Sequence, residues 1–216
     1  MAELIELNDY ISYFPSSKDP LSSDVVFIKA RDCTWVYDVG ASKEAALEVE
    51  KVCRKKHVVL SHFHPDHVWN LVRTSRSEVY VSENTKKYVK TGTVVDENLN
   101  FEGGGKCPDI RIFEVPSSHA KGCLGLLCGD YAFLGDATYA RENFGHKTYN
   151  AQLLKALIDL INELDAKFFC LSHTRAFVHT KENVLEMLES IYDLRDKSKS
   201  EISADSLFFD DDTEND

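Results

Sequence analysis

The sequence predicts a layered α/β domain, and three observations carry that reading. Short apolar runs recur along the chain, among them residues 34–38, 110–115, 131–136 and 168–173. Helical patterns, with apolar residues three and four positions apart, lie between such runs. The length of 216 residues suffices for one substantial core, and no linker divides it.

Residues 4–14 alternate as a strand, and 15–23 read as a loop by their Pro, Ser and Asp content. Residues 24–30 pair naturally with 34–38 across Arg31-Asp32-Cys33. Ser42 is suited to cap a helix from Lys43 to about Lys55, with Ala45, Ala46, Val49 and Val52 on its packing face. A short buried strand follows at 58–60, another at 78–81, and a helix at 84–89. Gly103-Gly104-Gly105 marks a mobile turn; it lacks the strand-to-helix context of a phosphate-binding loop. Asn150 caps a helix running through Leu164, and the last helix spans Lys181 to about Arg195. Residues 1–200 therefore form a single domain. Residues 201–216 carry seven acids and no base, and are expected to be a disordered tail.

The densest chemistry lies in His62-Phe63-His64-Pro65-Asp66-His67. Imidazole and carboxylate together suit zinc, iron or manganese better than magnesium or calcium, which prefer oxygen alone. Alternate side chains of an extended segment project the same way, so His62 and His64 can grip one ion. Asp66 and His67, turning into a helix, can reach a second. Further donors stand where apolar runs give out into loops: Asp38, His119, Asp136 and His173.

This order of residues, Asp38, His62-x-His64-x-Asp66-His67, His119, Asp136 and His173, resembles the five-motif signature of the metallo-β-lactamase-fold hydrolases. The resemblance spans about residues 24–180. It implies a four-layer αβ/βα sandwich of two mixed sheets with helices outside and a binuclear site along the seam. It also implies that His62, His64 and His119 hold a first metal, that Asp66, His67 and His173 hold a second, and that Asp136 bridges them. Asp38 would hydrogen-bond the metal-bearing loop. The cofactors expected are two divalent ions, zinc first, with iron or manganese as substitutes.

Two such ions about 3.5–4 Å apart can share a water and lower its pKa toward about 7, which makes hydrolysis the expected reaction. Asp66 can orient the nucleophile or carry its proton to the leaving group. The segment Gly135-Asp136-Ala137-Thr138-Tyr139 is similar to the stretch around the bridging aspartate in the N-acyl-homoserine lactonase branch. There, a tyrosine three residues on faces the substrate carbonyl. Tyr139 holds that position and is the expected oxyanion donor. The segment before His119 departs from that branch in lacking proline-glycine. The expected substrate is a small ester, lactone or thioester. A phosphodiesterase on the same fold and a mononuclear-iron sulfur dioxygenase remain the alternatives.

Composition narrows the partners. Net charge is −11; without the tail, 25 basic residues face 29 acidic ones. An acidic chain without Lys/Arg clusters is a poor electrostatic match for nucleic acid, so a small-molecule substrate is expected. No apolar run has the length of a membrane span, and the N-terminal residues lack a basic-then-apolar leader. The six cysteines form no C-x-x-C pair. Scattered thiols without an export signal predict a reduced, cytoplasmic protein. Cys123, His146, Lys147, Phe14 and Phe63 are further candidates to line the site.

Overall fold

Successive apolar residues of the central strands face opposite sides of their sheet, and that alternation sorts them into three cores. The computed structural model describes residues 3–53, 55–74 and 77–205. The first half of the chain runs β1 (Ile5–Glu6), β2 (Ile11–Phe14), β3 (Ser17–Lys18), β4 (Leu21–Ser22), β5 (Val25–Lys29), β6 (Cys33–Tyr37), α1 (Lys43–Lys51), β7 (Lys55–Val59), α2 (Pro65–Val68), a 3₁₀ turn (Trp69–Arg73), β8 (Ser77–Val81), α3 (Glu83–Val89) and β9 (Thr93–Val94). The second half runs β10 (Leu99–Phe101), β11 (Ile110–Val115), β12 (Cys123–Cys128), β13 (Tyr131–Gly135), β14 (Arg141–Asn143), β15 (His146–Asn150), α4 (Ala151–Glu163), β16 (Phe168–Leu171), β17 (Val178–Thr180), α5 (Lys181–Asp193) and β18 (Glu201–Ser203).

Two mixed sheets result. One has the order β1-β2-β5-β6-β7-β8-β9, the other β10-β11-β12-β13-β16-β17. The first is antiparallel up to β6 and parallel from there. The second is antiparallel except where β13 meets β16. Val26, Ile28, Trp35 and Tyr37 pack between the sheets against Ile110, Ile112, Leu124, Leu126 and Phe133. Their neighbours Val25, Phe27 and Val36 point outward and meet Ala45 and Val49 of α1. On the far side, Phe113, Val115, Leu134, Phe169 and Leu171 meet Leu154, Leu157, Ile161, Val184 and Leu188 of α4 and α5. The period of two along each strand thus builds helix, sheet, sheet, helix, the four layers expected.

Both expected helix caps, Ser42 and Asn150, are in place, and Thr180 adds a third. Ser42 accepts from the N–H of Ala45, Asn150 from those of Gln152 and Leu153, and Thr180 from that of Asn183. Four expectations need correction. Residues 4–14 are two strands, because Asn8 Oδ1 accepts the N–H groups of Tyr10 and Ile11 and turns the chain into a hairpin. The loop at 15–23 contains the small β3–β4 hairpin. Helix α1 stops at Lys51, since residues 55–59 are drawn into the sheet beside β6.

The fourth concerns the tail. Residues 201–203 are a strand paired antiparallel with β15, and Ile202 and Ala204 are buried in the helix-side core. The acidic residues alternate with these two apolar ones, so a charge count misses the buried face. Residues 206–216 lie outside the described residues. No helix among the described residues is long and apolar enough to cross a membrane.

Candidate metal centre

Within the first sheet, β6 and β7 run in the same direction; within the second, β11, β13 and β16 do. The loops that follow these five strands carry Asp38, the segment 62–67, His119, Asp136 and His173. They meet at one edge of the sandwich. His62, His64, His119 and Asp136 form one donor group, and Asp66, His67, Asp136 and His173 form another, with ligand atoms in each within 4.8 Å of one another. Asp136 belongs to both. Every residue expected as a ligand is therefore brought into one of the two groups.

Local structure aims each side chain. Pro65 opens α2, and His64 precedes it in extended conformation, which separates the first two histidines from Asp66 and His67 on the helix. Gly135, at φ +56, lets the chain turn before Asp136; a Cβ there would lie 2.7 Å from the Cβ of Ser61. Asp38, as expected, supports the ligand loop. Its Oδ1 accepts the Ser61 N–H at 2.8 Å, and its Oδ2 accepts from His67 Nδ1 at 2.7 Å. That leaves His67 Nε2 facing Asp66 and Asp136 at 3.3 Å each. The carbonyl of Ala140 accepts from His119 Nδ1 at 3.2 Å, which turns His119 Nε2 toward His64 Nδ1, 3.0 Å away. An acceptor on one ring nitrogen leaves the lone pair of the other for a cation.

The donor set fits a metal on its own chemistry. His62 Nε2 and Asp136 Oδ1 are buried with no hydrogen-bond partner among the described residues. Buried polar atoms are rarely left so, and a cation satisfies both. Burial, reinforced by His67, pushes His62 down to about 2, so its imidazole is neutral and able to ligate. Burial opposes charge on Asp136 and Asp66 as well. The imidazoles of His67 and His173 outweigh it and hold both carboxyls well below the usual range. For His67, burial is outweighed by Asp136 and Asp38, which push it up. Those carboxylates call for positive charge at this point, whether from a proton or a metal ion.

A pocket of about 310 Å³ opens over the two groups, lined by His64, Asp66, His119, Asp136 and His173 with Leu21, Tyr139, Ala140, Glu142 and Lys147. Tyr139 stands at its wall, and its hydroxyl donates to the carbonyl of Ser172 at 2.9 Å. The expected oxyanion donor therefore has its proton on the His173 loop. Lys147 lines the pocket, whereas His146 is exposed and pairs with Asp205 at 3.1 Å. Cys123 is buried in the core; its thiol, pushed up to about 12 by burial, donates to the Ala120 carbonyl. Phe14 is likewise in the core, and Phe63 stacks on Tyr88 with centroids 4.2 Å apart.

Sequence reasoning missed Asn70, which donates to the carbonyls of Val39 and Ser42 and fixes the turn after Asp38. It also missed Asp24, bonded to Ser172 and His173, and Leu21 on the pocket wall.

A model of the metallo-beta-lactamase superfamily matches residues 19–173. No curated protein matches the chain in sequence. Among solved structures, an archaeal metallo-beta-lactamase superfamily protein from Sulfolobus tokodaii aligns with a TM-score of 0.60 at 19% identity, over 85% of this chain and 86% of that one. A metallo-beta-lactamase from Hirschia baltica aligns at 0.65 and 12%, over 88% and 97%. The chemotaxis sensor ODP, solved as a peroxy diiron species, aligns at 0.66 and 12%, over 86% and 94%. At these identities the likeness is one of fold. The family match covers most of the chain and runs from the small hairpin before β5 to His173, so the chain belongs to the metallo-beta-lactamase superfamily.

Proposed function

We propose that this protein is a metal-dependent hydrolase of a small ester, lactone or thioester, with two divalent ions held side by side by the two donor groups. The observation that carries the reading is Asp136, one carboxylate shared by both groups at the floor of a small pocket. His62, His64 and His119 would hold one ion, and Asp66, His67 and His173 the other. Zinc is the first choice, with iron or manganese able to replace it, because mixed imidazole and carboxylate donors accept all three. Bound there, such ions supply Lewis acidity, acidifying water and drawing charge from a carbonyl oxygen.

The chain's own residues do the rest. Leu21 and Ala140 offer apolar wall to the substrate, and Lys147 and Glu142 stand opposite one another in register on β15 and β14. Asp66, held ionised by its histidine neighbours, is placed to take the proton of the attacking water and return it to the leaving group. Tyr139 we assign to holding the His173 loop against the pocket, in place of the oxyanion role. Six cysteines at scattered spacing suit a reducing cytoplasm.

The test is metal content on anaerobically purified protein, with turnover of ester, lactone, thioester and phosphodiester substrates. Two ions per chain with carbonyl-ester turnover is the expected result. His62→Ala and Asp136→Ala should each lose metal and activity together; full activity in either sinks the assignment. A single iron with oxygen uptake on a persulfide and no hydrolysis would replace this reading with the dioxygenase.

A further inference from the structure

We infer that Asp24, just before β5, is a positioning residue for the second donor group, clamping His173 in place while its neighbour Ser23 holds Asp66. The inference rests on the two-ion reading above.

His173 has a φ of +62, in the left-handed region that only a few per cent of non-glycine residues occupy. Such a conformation persists only where surrounding bonds impose it. Asp24 imposes it. Its Oδ2 accepts the N–H of His173 at 3.0 Å and the hydroxyl of Ser172 at 3.1 Å, while its Oδ1 accepts the N–H of Ser16 at 3.0 Å. The N–H of Asp24 donates back to Ser172 Oγ at 3.2 Å. One residue earlier, the N–H of Ser23 donates to the carbonyl of Asp66 at 3.0 Å. The dipeptide thus grips the backbones of two donors that lie 107 positions apart in sequence. Beyond the clamp, His173 Nε2 stands 3.0 Å from Asp66 Oδ2. Asp24 itself is 5% exposed and does not line the pocket. Its effect passes through His173, and the first group, His62, His64 and His119, receives nothing from it.

Asparagine keeps the shape of Asp24 but has one acceptor oxygen where donors approach two. Asp24→Asn must therefore turn an amide N–H₂ toward either Ser16 or the His173 loop. Metal-free wild type, D24N and S172A would be titrated with Zn²⁺ against a chromophoric chelator, and with Co²⁺ followed by visible absorption. Wild type should take two ions. D24N should keep the first at wild-type affinity and bind the second at least about tenfold more weakly, with an altered Co²⁺ spectrum for that ion alone. S172A leaves the Asp24 bond to His173 intact, and should weaken the same ion by a smaller factor.

Melting curves of the metal-free proteins separate a merely structural role. A D24N that melts early yet binds both ions as wild type does overturns the inference, and so does equal weakening of both ions. If D24N does not fold, S172A decides: a selective loss supports the clamp, and an unchanged second ion overturns it. A wild-type chain that takes up fewer than two ions overturns the two-ion reading, and this inference with it. Two ions in both wild type and D24N, at equal affinities, overturn this inference alone.

Discussion

Asp38 shows how a residue that touches no substrate governs the site. Its two carboxylate oxygens serve the Ser61 N–H and His67 Nδ1, both buried. Asp38→Ala leaves the Ser61 N–H without its side-chain acceptor, at about 1–3 kcal/mol, and His67 Nδ1 with the Ser61 hydroxyl at 3.2 Å in place of a carboxylate. Metal affinity should fall by about 10–100-fold, read by competition with a chelator. Tyr139 tests the opposite case. If its hydroxyl serves to hold Ser172, Tyr139→Phe removes that hydrogen bond, worth about 1 kcal/mol, and lowers Tm by about 2–4 °C. Its kcat should then stay within about threefold of wild type, whereas an oxyanion donor would cost about 10²–10³-fold. The two donor groups were legible because histidine and aspartate cluster in one turn and recur at strand ends. Asp24 and Asn70 were not, because their partners sit 149 and 31 positions away, and nothing local announces them.

At the level of elements, the small sheet β14-β15-β18 forms one wall of the pocket. The C-terminal strand holds it: Asp205 accepts from the N–H of Lys147, and Arg141 pairs with Glu201 at 2.9 Å. Buried Ile202 contributes about 1.5–3 kcal/mol of apolar burial. Truncation after Ser200 should therefore lower Tm by about 5 °C or more and raise KM, since Lys147 and Glu142 lose their support. An unchanged Tm and KM would reduce this strand to decoration. Helices α1 and α4 were legible from their caps, Ser42 and Asn150, because capping is a local bond. Strand β18 was not, because its burial depends on β15 and its composition is dominated by solvent-facing acids.

For the whole molecule, the site stitches two sheets together. Ligands from β7 and from β11, β13 and β16 stand on opposite halves of the sandwich, so a bound ion joins halves that the core alone would join by packing. Chelation should then lower Tm by about 5–10 °C, corresponding to the roughly 2.7 kcal/mol gained at a hundredfold excess over Kd. Acid should release the ions in order. Burial pushes His62 down to about 2, so no proton competes there as pH falls. Burial opposes the charge on His67 and His173 too, but the carboxylates beside them outweigh it and push both up. A histidine pushed up takes its proton at higher pH, so the Asp66/His67/His173 ion should leave first. Metal content after dialysis across pH 8 to 5, with Co²⁺ as a spectroscopic reporter, checks the order.

Beside the four layers that the family resemblance implied, the residue pattern alone determined the chemistry available and the strand and helix periods. These are local properties: side-chain type, spacing and capping act within a few positions. Where the hydroxyl of Tyr139 points, and that residues 201–203 back the strands of a pocket wall, were decided only by tertiary structure. Each depends on which strands lie side by side, and that pairing is set by burying apolar faces from segments distant in sequence.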